Sequence, residues 1–200
     1  MTRLVDRGAI VAAYVGIGMA FAVGISFLLV IPIEPVYWLL APLSGLLIGY
    51  YANARADRST GPWARILANG AFAGVVTGLA LAALLLAVKV LFFAADNGYR
   101  DASSGGSLSC RPGADCVYAR YLAVDTGPDR LAGAGIHDVS SFSSFYWTQQ
   151  LTTAGTLLVL TAAGALGGAI LFGLSRPRRR QTAQQDNPPE SQPEIGGRPA

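Results

Sequence analysis

Few side chains in this sequence could do chemistry. The first candidates are Cys110 and Cys116, separated by five residues. A redox-active pair uses a two-residue spacer, and two cysteines with a single histidine are too few for the common zinc sites. A structural disulfide is expected instead, with Pro112-Gly113 as the central pair of a type II turn that brings the thiols together. A loop this short stabilises by about 2–2.5 kcal/mol in the chain-entropy account.

Lys89 is the next candidate. It is the only lysine and the one charge in the 29-residue run Leu67–Ala95. A charge at the bilayer centre costs about 2.5–3.5 kcal/mol on insertion scales and points to function. Helical rise places Lys89 about 33 Å from Leu67, near the edge of a hydrocarbon core about 30 Å thick. There the stem stays in lipid and the amine reaches the headgroups. The sharper expectation is an ion pair with Glu34.

The remaining candidates are weaker. Thr152, Thr153, Thr156 and Thr161, with Gln149 and Gln150, give one apolar run a polar start. They would suit a solute vestibule, or bond their own helix carbonyls. His137 and Asp138 stand alone as a pair. No complete phosphate loop, nucleophile elbow, metalloprotease helix or dinucleotide fingerprint occurs. No catalytic residue, cofactor site or metal site is therefore expected, and the chain is read as non-enzymatic.

The elements that must position these groups are long apolar runs. Of the 200 residues, 52% are hydrophobic and 14% charged, against about 25% charged in an average soluble domain. Four runs are read as membrane spans, at 9–31, 36–51, 67–95 and 147–174. The fold class is all-α: a polytopic four-helix membrane bundle over 9–175, with a short N-terminus (1–8) and a disordered basic tail (176–200). The first run continues past the small triplet Ala20-Phe21-Ala22, so it reads as an uncleaved span and not a signal peptide. Pro42 interrupts the second. Small residues recur at four-residue spacing in every span, including Gly16, Gly45, Gly49, Gly70, Gly74, Gly78, Gly164 and Gly168. Such rows let helices approach closely in lipid.

Charge sets the orientation. Arg3, Arg7, Arg55, Arg58, Arg65, Arg176, Arg178, Arg179, Arg180 and Arg198 fall on one side of this scheme. Only Arg100, Arg111, Arg120 and Arg130 fall on the other, with six aspartates and Glu34. The positive-inside rule then puts both termini in the cytoplasm and the 96–146 loop outside. A disulfide belongs on that outer side. Arg176, Arg178, Arg179 and Arg180 act as a membrane anchor against anionic lipid. Residues 118–124 suit a short strand or a helix, and the aromatics from Phe142 to Trp147 return the chain to the interface.

No basic face with interleaved aromatics suggests nucleic acid. The expected partners are the lipid bilayer and either a second copy or another membrane protein. The expected location is a cell membrane, of the bacterial or archaeal inner-membrane kind. The expected function is a non-catalytic assembly or accessory component packing through its small-residue faces. The alternative is a subunit of a small-solute transporter or channel.

Overall fold

The computed structural model describes residues 5–29, 34–56, 62–95, 98–99, 108–124 and 126–175; the side chains of residues 25–29, 34–37, 98–99 and 108 lie outside what is described. The described residues form six helices: α1 (Arg7–Leu29), α2 (Glu34–Ala54), α3 (Trp63–Ala95), α4 (Ala114–Ala123), α5 (Gly127–Gly133) and α6 (Val139–Ser175). The only strands among the described residues are β1 (Gly98–Tyr99) and β2 (Leu108–Ser109), an antiparallel pair.

Three helices, α1, α3 and α6, are long and apolar enough to cross a membrane. This is compatible with a membrane protein. The second, α2, has 21 residues and is less apolar: it carries Glu34, Pro35 and Pro42, and tyrosines at both ends. At about 1.5 Å per residue, α3 and α6 are about 50 and 56 Å long, well beyond a hydrocarbon core of about 30 Å. Both pack against α4, which in turn packs on α5.

The four long helices form a rhombus. Helices α2 and α3 touch each other across its short diagonal, and each also packs on α1 and on α6. Contact order along the helices gives their directions. Gly164 and Gly168 of α6 abut Pro42 and Leu46 of α2, so these two run parallel. Gly16 and Gly24 of α1 abut Thr77 and Leu84 of α3, again parallel. Gly70, Gly74 and Gly78 of α3 meet Ala169, Ala165 and Leu158 of α6 in reverse order, so the two pairs are antiparallel.

Several local expectations change. Residues 118–124 are helical, inside α4 and just after it, with acidic Asp115 in the first turn and Arg120 in the last as the helix dipole favours. Gly113 takes φ 133° and ψ −171° as the residue before α4, not the ψ near 0° of a type II turn. That positive φ is open to glycine and strained for other residues. The aromatics from Phe142 to Trp147 belong to α6 itself, which starts eight residues before the expected span. Its start is fixed by Asp138. The Oδ1 atom accepts from the Ser140 and Ser141 backbone N–H groups, both at 2.8 Å, and from the Ser140 hydroxyl. Likewise α3 begins at Trp63, four residues before the expected span and directly after Pro62.

Candidate functional site

The glycines singled out by spacing all face another helix. A Cβ added at Gly45 would strike the Thr161 carbonyl, and one at Gly49 the Ala165 carbonyl. From the other side, Cβ atoms at Gly164 and Gly168 would strike the Pro42 and Leu46 carbonyls. Four glycines thus interdigitate two backbones along one seam. On α3, Gly70 lies where a Cβ would come within 2.7 Å of Ala169 Cβ, and Gly78 within 2.8 Å of Leu158 Cδ1. Gly74 is closed by Ala165, and Gly16 by Thr77. None of the eight opens outward; Gly18, Gly155 and Gly167 do, with nothing near.

Polar groups in this interior are satisfied locally. Thr77 and Thr161 are fully buried, and their hydroxyls donate to the Ala73 and Leu157 carbonyls of their own helices. Thr152, Thr153 and Thr156 do the same with Thr148, Gln149 and Thr152. At one end of the bundle Asn53 Nδ2 donates to Gly49 O (3.0 Å) and Ile66 O (3.1 Å), tying α2 to α3. Asn69 Oδ1 accepts from the Asp6 N–H at 3.1 Å, tying α3 to the start of α1. The Asn69 contact satisfies a backbone N–H at the start of α1, while Asn53 adds a second donor to carbonyls inside α2 and α3. Sequence spacing alone does not reveal these ties, because their partners are 13 and 63 positions away.

At the other end, α4, α5 and the first turns of α6 form a cap. Val117, Leu131, Ile136, Phe142 and Tyr146 make its core, with Phe93, Tyr118 and Tyr121 packed around them. The Phe142 ring lies 5.2 Å from Tyr118 and 5.1 Å from Tyr121, and Phe93 lies 5.2 Å from both Tyr146 and Trp147. These are the offset and edge geometries aromatic rings favour. Cys110 and Cys116 are joined by a disulfide with Cα atoms 5.4 Å apart. Arg120, one turn after Cys116, donates from Nη2 to Cys116 Sγ at 3.5 Å.

A cavity of about 350 Å³ lies where this cap meets the bundle. Its walls are Lys89, Phe92 and Phe93 from α3; Val117, Arg120, Tyr121 and the following Val124 from α4; Gly127 and Arg130 from α5, with Thr126 just before it; and Tyr146 and Gln150 from α6. Three cations from three helices line it, and no carboxylate does among the described residues. Lys89 is thus placed facing the cap. The side chain of its expected partner, Glu34, lies outside the described residues, as do Arg176, Arg178, Arg179 and Arg180. His137 is exposed, and the Asp138 carboxylate beside it is occupied by α6. No cluster of three metal-binding side chains occurs among the described residues.

From sequence Arg120 and Arg130 enter only as charges of the 96–146 loop; in the structure they stand in the last turns of two short helices. Comparison with protein-family models, curated proteins and solved structures finds no match to this chain.

Proposed function

We propose that this chain is a four-span membrane protein, with α1, α2, α3 and α6 crossing the bilayer, both termini cytoplasmic and the cap outside. It acts as a non-catalytic assembly or accessory component that holds the cap at a fixed height above the membrane. The observation behind this reading is the bundle interior, which is closed by backbone contact along the glycine seam between α2 and α6. A backbone-to-backbone seam excludes water and leaves no room for a substrate. The threonines that motivate the transport reading spend their hydroxyls on their own helices. The alternating helix directions support four crossings, and the arginine bias supports their sense. The less apolar α2 packs against α1, α3 and α6, and the side chains it leaves exposed, Leu39, Leu43 and Leu47 among them, are apolar enough to face lipid.

The test is purification in mild detergent through a tag on the C-terminal tail, followed by reconstitution into proteoliposomes. The expected result is co-purification in fixed stoichiometry with a second copy or another membrane subunit, reproduced when that subunit carries the tag. Solute or ion flux that depends on the reconstituted chain alone would overturn the assembly reading. Protease protection in right-side-out and inside-out vesicles checks the sidedness: the cap is cleaved only from outside.

A further inference from the structure

We propose that the cavity between cap and bundle binds the phosphate of an anionic lipid headgroup. The inference rests on the membrane-spanning reading above, and stands apart from whether the chain assembles with other subunits. Three observations carry it. Lys89, Arg120 and Arg130 reach one cavity from α3, α4 and α5, so the cations converge from separate elements and do not merely line one solvated face. Lys89 and Arg130 make no ion pair among the described residues, and no described carboxylate lines the walls. Gln150, with only 7% of its surface exposed, lines the same cavity, and its side-chain amide has no hydrogen-bond partner among the described residues. Its amide atoms stay open to the solvent of the cavity, where they can donate to a ligand. A phosphate oxygen can accept from Gln150, and Lys89 and Arg130 supply charge-assisted donors.

Position and walls select a lipid as the source of that phosphate. Lys89 lies about 33 Å along α3 from Leu67, the headgroup level for a span of this length. Phe92 and Tyr146 line the cavity, and Phe92 is also 45% exposed on the flank of α3. An acyl chain can follow that flank while its phosphate sits beneath the cap. A volume of about 350 Å³ admits a headgroup phosphate with its glycerol, and exceeds what a bare phosphate needs.

The experiment is native mass spectrometry of the delipidated full chain in detergent, titrated separately with phosphatidylglycerol, phosphatidylcholine and inorganic phosphate. The wild type should bind one phosphatidylglycerol saturably and prefer it to phosphatidylcholine. Lys89→Gln with Arg130→Gln should weaken that binding by about tenfold per cation removed. The pair Lys89→Arg with Arg130→Lys keeps both charges and should bind as the wild type does. If this pair fails like the glutamine pair, or if the glutamine pair binds normally, charge is not what the site reads and the proposal is wrong. Equal binding of the two lipids overturns it as well. Inorganic phosphate that binds as tightly as the lipid would assign the site to free phosphate and overturn the lipid source.

Discussion

One stripe of α6 runs through both halves of the molecule, and its two ends are built in opposite ways. From Phe142 through Tyr146 and Gln150 it is large and aromatic; from Ala154 through Thr161, Ala165 and Gly168 it becomes small. The first end packs the cap, the second the seam with α2. In water, burying aromatic surface drives association, so the cap gains by making its side chains large. In lipid the surroundings are as apolar as the side chains, and that drive vanishes. What remains is close contact of backbones, so the bundle gains by removing side chains. On the four-span reading proposed above, the same helix obeys two solvents along its length.

The largest effect should come from breaking the lipid-side rule. Gly49→Leu drives a side chain into the Ala165 carbonyl of α6. It should separate α2 from α6 and leave no monodisperse protein in detergent, read by size-exclusion chromatography. Gly155→Leu, at a glycine with open space around it, should leave the elution profile unchanged. Equal behaviour of the two variants would break the comparison.

On the water side the opposite change is the damaging one. Phe142→Ala removes the fully buried centre of the cap and should cost about 3–5 kcal/mol of its stability. The loss should appear as faster hydrogen exchange in 114–146, with the bundle amides unaffected. A smaller step is Cys110→Ser with Cys116→Ser. It should lower cap stability by about 2–2.5 kcal/mol, and a reductant should do to the wild type what the mutation does.

The smallest effect is a pH dependence at the junction. Hydrogen bonds from the Ser141 backbone N–H and the Ser140 hydroxyl, with further ones from the same two serines, hold the Asp138 carboxyl below its ordinary value. Its folded-state pKa is depressed, so its contribution is present above the unfolded value of 3.8 and is lost as pH falls through the lower folded value. Exchange protection of the first turn of α6 should therefore drop at acid pH in the wild type. Asp138→Asn should flatten that dependence.

The sequence made the bundle legible and the cap much less so. Runs such as Leu67–Ala95 need no partner to be recognised, because length and absence of charge suffice. The glycine rows are equally readable, since four-residue spacing places them on one helix face. The cap was obscured by its own composition. Gly127-Pro128 reads as a turn but opens α5, where proline suits the first turn. The aromatics of early α6 read as an interfacial belt from sequence, and spacing gave no sign that Phe142 and Tyr146 also pack in the core of the cap. The cavity was unreadable for a plainer reason: Lys89, Arg120, Arg130 and Gln150 come from four helices, and only tertiary packing brings them together.

The seam between α2 and α6 also has a consequence in time. Gly168 follows Gly49 by 119 positions in the chain. At a synthesis rate of about 5–20 residues per second, α2 is complete for about 6–24 s before its main partner leaves the ribosome. On the four-span reading proposed above, its glycine face is covered through that interval only by whatever the translocation machinery or the bilayer provides. A chain that stalls before Gly164 keeps that face open for good, which makes it a ready mark by which a quality-control protease could tell an unfinished copy from a finished one.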